Sequence, residues 1–407
     1  MFIEQSVARR RVVRSAFVLG VVLPSALLVA AAWWRHSTGY RVALAEEAGR
    51  HLGVPVEIGG VAHPRPGVLR LAGVAVGGPP GAGGLTLEEV EVELAGNEVR
   101  LRVPGIACSP ASARLLAEFA GEWLTRPARF PRAWVIDVAE VTWALDDGRR
   151  LAGGGWHVEC AAAGAARGLW LRREPRSAEE VRVRVEADAV VAEGRIEAPV
   201  PAPILAALLG TGGAWAGTLG PQAMVRGQAT ASRADAATGW SGSLAGVIER
   251  VDLAVLSAAG PRGLGGEATV EVERLQFERG RLETADFSLV ARAGTISQEL
   301  LDGLVANLGC RPGPAYRSIG GETLRRFDDI ACRFLVAGPA LTIRPAQGDG
   351  LIRAQGLPVL EPPVGPQPVS RVAWLVSPAG NPAVPASAVS AWLISVLPER
   401  AARAGGF

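Results

Sequence analysis

An uncharged apolar stretch at residues 16–34 constrains this chain more than any other feature of its sequence. At about 1.5 Å of rise per residue, a helix of this length nearly spans a hydrocarbon core about 30 Å thick. The leader before it, residues 1–15, contains four arginines, whereas Arg35 is the arginine that follows closely. Because positive charge is retained on the cytoplasmic side, this asymmetry predicts a cytoplasmic N-terminus and an exported remainder.

Two interpretations of the apolar stretch are open from sequence. Trp33 and Trp34 end the stretch, and indole rings favour the interface between membrane and water. This position suits a retained anchor. Ala30 and Ala32 form an A-x-A pattern behind a basic leader, which suits a cleaved signal peptide. The stretch exceeds the usual apolar region of a signal peptide, about 7 to 15 residues, and this favours the anchor. The predicted anchor residues are Ala16, Phe17, Val18, Leu19, Val21, Val22, Leu23, Leu27, Leu28, Val29, Trp33 and Trp34.

The composition argues against several classes of function. Lysine is absent, so neither a Walker phosphate loop nor a Schiff-base enzyme is encoded. The 42 basic and 40 acidic residues are spread along the chain, whereas a nucleic-acid partner requires clustered positive charge. The 51 glycines and 29 prolines, with only 5% aromatic residues, are typical of thin β-layers with many turns.

Alternating apolar and polar residues recur throughout the predicted exported part. At residues 85–94 leucines and valines alternate with threonine and glutamates, which predicts a strand with one apolar and one solvated face. The same alternation marks residues 68–76, 99–103, 134–145, 181–186, 268–275, 287–292 and 331–336. Because regular strand–helix–strand alternation is missing, we expect a mainly β chain with an extended antiparallel sheet.

A few short segments have helical periodicity instead. The clearest, residues 297–308, begins at the N-cap candidate Ser297 and ends before Gly309. Its leucines form one apolar stripe, so we expect it to pack against the sheet. The other segments are residues 41–52, 111–124, 203–209 and 386–397. We expect the last of these either to cap the end of the sheet or to contact a membrane.

The sequence predicts no catalytic residue, no metal site and no cofactor. The histidines stand in no metal-binding frame; they are His36, His51, His63 and His157. Residues 239–243 (GWSGS) depart from a nucleophile elbow, so we expect a turn leading into a strand. Residues 263–266 (GLGG) lack the spacing of a phosphate-binding loop, so we expect an ordinary loop. An exported hydrolase is therefore the least favoured class of function.

The cysteines are widely spaced and form no C-x-x-C pair, which argues against a zinc knuckle or a thioredoxin-type site; they are Cys108, Cys160, Cys310 and Cys332. In an oxidising compartment, Cys310 and Cys332 could form a bridge because both lie near one predicted hairpin. Buried free thiols are the other interpretation, since pairing cannot be deduced from sequence.

Two stretches resemble the AsmA-like proteins of double-membraned bacterial envelopes. Residues 52–76 are similar to the family's N-terminal pattern of a short helix, a turn-strand G-x-P-V-x-I-G and a strand ending in L-x-G-V-x-V. The matching positions are Gly53, Pro55, Val56, Ile58, Gly59, Leu71, Gly73, Val74 and Val76. Residues 327–343 resemble the family's C-terminal hairpin, although Ile330 and Cys332 depart from it. Between residues 108 and 240 only strands are recognisable.

This resemblance implies a twisted, groove-like or taco-like sheet with an apolar concave face, anchored in the bacterial inner membrane and projecting into the periplasm. It also implies a domain order of 1–15 leader, 16–34 membrane helix, 35–107 and 263–385 family-like β regions, 108–262 central β region, and 386–407 terminal helix and tail. The residues expected to line the groove are Leu85, Leu87, Val90, Val92, Leu94, Val270, Val272, Leu275, Phe334, Val336, Leu341 and Ile343.

The function implied by the resemblance is non-enzymatic: transport of phospholipid between membranes, or outer-membrane assembly and maintenance. Its partners would be the acyl chains of membrane lipids and other envelope proteins, with no nucleic acid. The alternative is a membrane-anchored periplasmic scaffold with a closed β core. An apolar sheet face without a second layer is satisfied by acyl chains, whereas a scaffold would cover it with protein, and the alternation is the same in both cases.

Overall fold

The structure is a computed structural model that describes residues 7–78, 84–126, 128–163, 166–174, 178–210, 218–235, 237–257, 263–317, 323–375 and 395–398. The chain divides into two compact units, Met1–Ile106 and Ala107–Phe407. Each unit is presented separately below.

The first unit begins with helix α1 (Val7–Phe17), a π-helical turn (Val18–Val22) and helix α2 (Leu23–Arg35). The 27 residues Arg9–Arg35 are long and apolar enough to cross a membrane, and none of the apolar window is buried within the protein. The predicted apolar helix is therefore present, and it is long enough to span a membrane. The π-turn ends two residues before Pro24, whose ring removes one backbone donor and clashes with the carbonyl of the preceding turn.

Helix α3 (Thr38–Leu52) follows after a short turn. The Ser37 hydroxyl accepts a hydrogen bond from the Tyr40 amide at 3.2 Å and so caps its first turn. Gly53 ends the helix with φ 73°, a left-handed conformation that glycine adopts without a side-chain clash. Helix α3 packs against the first strand of this unit.

The first unit continues with strands β1 (Val56–Arg65), β2 (Val68–Val76), β3 (Leu85–Ala95) and β4 (Glu98–Val103). Within the described residues of the first unit, these strands pair antiparallel in chain order. The glutamates of β3 pair with arginines of the neighbouring strands: Glu89 with Arg70 at 3.2 Å, and Glu91 with Arg102 at 3.3 Å. These carboxylates form a solvated face, as the alternation predicts.

The second unit is also mainly β, with short helices between strands. Strand β5 (Ile106–Cys108) includes the boundary between the units. The next strands are β6 (Ala133–Ala144), β7 (Arg150–Ala163), β8 (Ala166–Glu174), β9 (Glu180–Glu186), β10 (Ala189–Pro201), β11 (Met224–Arg233), β12 (Ser241–Asp252), β13 (Leu264–Glu278) and β14 (Arg281–Ser297). The last strands are β15 (Arg311–Pro312), β16 (Leu324–Ala337), β17 (Ala340–Pro345), β18 (Ile352–Ala354), β19 (Leu357–Glu361) and β20 (Gln367–Pro368).

Strands β6 to β14 pair antiparallel in chain order, and β16 and β17 continue the same sheet beyond β14. The short strands β15, β18, β19 and β20 pair around β16 and β17. The predicted mainly β fold, with an antiparallel sheet and a few short helices, is confirmed.

The second unit contains helices α4 (Pro110–Thr125), α5 (Ala202–Leu209), α6 (Leu253–Ser257), α7 (Gln298–Leu308) and α8 (Val372–Leu375), the last preceded by a 3₁₀ turn (Val369–Arg371). Three of them, α4, α5 and α7, match predicted positions, whereas the short helices α6 and α8 were not predicted. In α7 the Ser297 hydroxyl accepts from the Leu300 amide at 3.2 Å, and Gly309 closes the helix with φ 67°. Of the predicted helix 386–397, residues 386–394 lie outside the described residues.

One sequence prediction about this unit is wrong. Residues 263–266 were expected to form a loop, but β13 begins at Leu264 and includes both following glycines. Gly266 has φ 127° and lies against the backbone of Gly294 on β14, where an added Cβ would come within 3.2 Å. The glycines therefore permit close strand pairing at a bulge, which a loop-forming composition does not reveal.

Candidate functional site

A row of residues, each directly paired with the next one on the neighbouring strand, crosses one face of the sheet of the second unit. We call such a row a file. Every member is apolar or glycine: Ile136, Val158, Leu171, Val181, Gly194, Ala229, Leu244, Leu275, Ala285, Val336 and Leu341. It crosses eleven strands, so at about 4.8 Å per strand spacing it is roughly 48 Å long. A second file runs beside it: Trp134, Cys160, Leu169, Val183, Ala192, Ala231, Gly242 and Phe277. These residues define the apolar face.

Helix α7 and the terminal strands cover the apolar face at β14–β17. The last members of the first file, Ala285, Val336 and Leu341, are buried. They belong to one core cluster with Leu301 and Leu308 of α7, both of which are also buried. This part of the face is closed by protein, as the apolar stripe of α7 predicts.

Helix α4 covers the opposite end of the apolar face, at β6–β8. Trp123 of α4 is only 5% exposed and clusters with Phe130 and Cys160. Trp134, Val158 and Leu169 of the sheet pack against the same cluster. The N-terminal capping box of α4, in which Ser109 and Ser112 bond reciprocally, and its packing against α5 fix the helix in place.

Between these two helices lies a section of the apolar face that we call the open section. It consists of Val181, Val183, Ala192, Gly194, Ala229, Ala231, Gly242 and Leu244, on strands β9–β12. Ala229 is exposed and the other seven are partly exposed. Within the described part of the chain, none of these residues is buried, whereas Cys160 at one covered end and Ala285, Val336 and Leu341 at the other are buried. Along β11, the apolar positions from Val225 to Ala231 extend about 20 Å.

The opposite face of the same strands is polar. Thr230 and Ser243 share a hydrogen bond of 2.9 Å, and Arg226 pairs with Glu249 at 3.1 Å. A depression of about 630 Å³ is lined mostly by residues of this face, such as Arg182, Glu193 and Gln276, and also by Gly194, Ala229 and Leu244 of the open section. Arg182 pairs with Glu180 and stacks on Trp170 at 4.9 Å, so these polar groups largely satisfy one another.

Two polar clusters on the second unit escaped sequence analysis. His157 lies between Asp137 and Glu159, with nitrogen–oxygen distances of 2.6 and 2.8 Å. Burial lowers the pKa of His157, but the two carboxylate hydrogen bonds outweigh this and raise it above its ordinary value. The signal available in the sequence was the spacing of two between His157 and Glu159, which places both on one face of a strand. The contact with Asp137 follows from the pairing register of β6 and β7, which the sequence does not show.

The second cluster surrounds Glu179, whose side chain is 2% exposed. Its carboxylate accepts hydrogen bonds from the Glu197 and Ala198 amides and from the Arg173 guanidinium. Burial raises the pKa of Glu179, but these hydrogen bonds outweigh it and hold the pKa below its usual range. The cluster holds the start of β9 against the C-terminal end of β10. We interpret its ion pair, Arg173 with Glu179, as structural.

The predicted groove-lining residues have different environments. In the second unit all seven share the apolar face, but Val336, Leu341 and Ile343 are buried in the covered core, and Val272 is also buried. Leu275 is partly exposed and adjoins the open section, while Val270 and Phe334 pack against the core. In the first unit Leu85 and Val90 are buried, Leu87 and Val92 are partly exposed, and Leu94 is exposed.

The cysteines are all buried free thiols, so the bridge between Cys310 and Cys332 is not formed. Burial raises the pKa of Cys332 to about 12 and that of Cys310 to about 11, which keeps both protonated. The predicted anchor residues, by contrast, are all exposed on α1, the π-turn and α2.

Comparisons with protein-family models, with curated proteins and with solved structures give no match to this chain. The geometry of the apolar face is therefore the basis for assigning a function.

Proposed function

We propose that this protein is a membrane-anchored lipid-binding protein that receives phospholipid acyl chains on the open section of its apolar face. The observation that carries the proposal is the apolar file of the second unit, which is covered at both ends and open on β9–β12. Apolar surface of this continuity is unfavourable in water and is stabilised by an apolar ligand. We further propose that the protein is an AsmA-like protein of the bacterial inner membrane, acting in phospholipid transport or outer-membrane maintenance.

The dimensions of the open section support acyl chains as the ligand. A bilayer core is about 30 Å thick, so the chains of one leaflet extend about 15 Å. The apolar positions of β11 extend about 20 Å along the strand, which accommodates a chain lying parallel to it. Glycine and alanine predominate on β10 and β11 in this section, which leaves room above the sheet for such a chain.

The apolar helix Arg9–Arg35 supports a location at a membrane, where phospholipid is at hand. The covered ends also give the ligand a defined place, because α4 and α7 limit the open section on either side. Lipid that moved along the sheet would have to pass one of these helices.

Site-specific photocrosslinking tests the proposal. Benzoylphenylalanine replaces Ala229 on the apolar face or, as a matched control, Gln228, which is the adjacent exposed residue on the polar face. After irradiation of cells, mass spectrometry should detect phospholipid adducts at position 229 and not at position 228. Equal adducts at both positions, or none at either, would contradict the proposal.

A scaffold is the second candidate, favoured by exposed apolar residues beside the covered core. Leu357 is 52% exposed and Val364 is 91% exposed, although both lie next to well-packed strands. Such side chains suit a protein partner. Crosslinking at position 364 that captures one stoichiometric protein, combined with no lipid adduct at position 229, would favour this candidate over lipid binding.

A further inference from the structure

We propose that Arg233 and Trp240 form a headgroup site, in which Arg233 binds the phosphate of a phospholipid whose acyl chains occupy the open section. The inference rests on the proposed lipid-binding function and adds the part of the ligand that is recognised by charge. The site lies where the β11 and β12 strands meet their connecting loop.

The position of Arg233 follows from the strand register. Arg233 lies on the same face of β11 as Ala229 and Ala231, because the three are spaced two residues apart. It pairs directly with Val190 on β10. It therefore continues the apolar face, about 7 Å beyond Ala231 along the strand. An arginine at the end of an apolar surface is suitably placed for a ligand with apolar chains and an anionic head.

The guanidinium of Arg233 is held by an aromatic ring and not by a carboxylate. It lies over the Trp240 ring at 5.1 Å from the centroid. Its Nε is buried and, within the described residues, has no hydrogen-bond partner. Burying such a donor without an acceptor is unfavourable, so a ligand acceptor at this point would stabilise the site.

Other arginines near the same strands are engaged differently. Arg226, on the polar face of β11, pairs with Glu249 through Nε at 3.2 Å and through a terminal nitrogen at 3.1 Å. Arg167, on the apolar face beneath α4, donates to the Phe130 carbonyl at 3.1 Å and lies over Trp123. Arg233 differs from Arg226 in having a buried Nε that lacks an acceptor, and from Arg167 in lying beside the open section and not beneath α4.

The carboxylate of Asp235, two residues along the chain, is already occupied. Asp235 accepts hydrogen bonds from the Ala237 and Thr238 amides at 2.9 and 2.7 Å, and from the Thr238 hydroxyl at 2.7 Å. Those bonds, with the charge of Arg233 as a smaller contribution, lower the pKa of Asp235. Asp235 therefore shapes the loop while the guanidinium of Arg233 keeps donors for another acceptor.

Trp240 is held in place by the neighbouring hairpin. Its carbonyl accepts a hydrogen bond from the Gly280 amide at 2.7 Å. At Gly239 an added Cβ would come within 2.4 Å of the Arg279 backbone, so glycine allows the two loops to approach. The indole is 38% exposed, and its apolar ring with one polar N–H suits the junction between acyl chain and headgroup.

Arginine is the side chain best matched to this ligand. Its planar fork can donate two parallel hydrogen bonds to phosphate oxygens, and it is less strongly hydrated than an ammonium group. The acyl chains would extend from this point over Ala231, Ala229 and the neighbouring strands.

The test measures binding of two lipids with identical acyl chains by the detergent-purified full chain: phosphatidylglycerol, which has the phosphate, and diacylglycerol, which lacks it. Arg233→Gln should weaken phosphatidylglycerol binding about tenfold, because a charged hydrogen bond is lost, and leave diacylglycerol binding unchanged. Arg233→Lys should be intermediate, since it keeps the charge but not the fork. Arg226→Gln, on the other face of the same strand, is the control and should change neither affinity.

The outcomes separate the two proposals. If the wild type binds both lipids and Arg233→Gln alters neither affinity, the headgroup site is refuted while lipid binding stands. Equal wild-type affinity for the two lipids refutes the headgroup site as well. If the wild type binds neither lipid, lipid binding itself is refuted, and the headgroup site with it. Circular dichroism of each variant verifies that the β fold is retained.

Discussion

A carboxylate placed on the open section should reduce lipid binding without destabilising the protein. Ala229 is exposed on the apolar face. The residues on either side of it on the same face of β11 are Gly227 and Ala231, which have no polar side chain. In Ala229→Glu the hydrated carboxylate would hold an acyl chain away from the strand. If only about three methylenes lose contact, at about 0.8 kcal/mol each, the loss is about 2.4 kcal/mol, or roughly 50-fold in affinity.

The matched control is Gln228→Glu, which places the same group one residue away on the polar face. Because both positions are exposed, neither substitution should change the free energy of unfolding by more than about 0.5 kcal/mol. The assay is equilibrium binding of a fluorescent phospholipid, with urea unfolding of each variant in parallel. Equal affinities for the two variants would refute the assignment of the open section, whereas a selective loss in Ala229→Glu supports it.

Further predictions concern the helix that covers the face and the two polar clusters. Trp123→Ala should lower the free energy of unfolding by about 3–5 kcal/mol, because it removes the buried centre of the α4 contact; urea denaturation measures this. Glu179→Gln should cost about 3 kcal/mol by leaving Arg173 without its carboxylate, and the difference from wild type should shrink as pH falls through the lowered pKa of Glu179. His157 has a raised pKa, so its stabilising effect is fully present below about pH 6.5 and is lost as pH rises through that raised value. The Tm difference between wild type and His157→Gln should therefore be larger at pH 5.5 than at pH 8.5, and a difference independent of pH would contradict the assignment.

The parts of the fold that sequence predicts are those with strong local signals. Residues 181–186 alternate strictly and residues 85–94 alternate with one interruption at Glu88 and Glu89; they form β9 and β3. Helix α7 has a serine cap, a leucine stripe and a terminal glycine, and its observed bounds agree with the prediction. In each case the local preference and the tertiary packing favour the same structure.

Strands β10 and β11 were not predicted, and of β12 only the start was, after the turn at residues 239–243, although these strands form most of the open section. Their apolar face is built from alanine and glycine, which have low intrinsic strand preference, so alternation is weak there. Pairing with neighbouring strands determines their structure. Gly227 and Gly246, for example, lie directly opposite each other, and an added Cβ on either would come within 2.3 Å of the facing backbone.

The division of the apolar face into covered and open parts could not be predicted from sequence either. Val336 and Leu341 have the same alternating environment in sequence as Val181 and Val183, yet only the first pair is buried. Coverage depends on where α4 and α7 pack, which is a long-range property of the chain. Alternation specifies that a face is apolar but not what lies against it.

The most direct test of lipid binding is an experimental structure of the full chain extracted together with its native lipids. We predict elongated density on the open section, running along β9–β12 between α4 and α7, with a headgroup beside Arg233. Protein density over Ala229 and Leu244, in place of lipid, would contradict the central claim and identify the second unit as a closed scaffold.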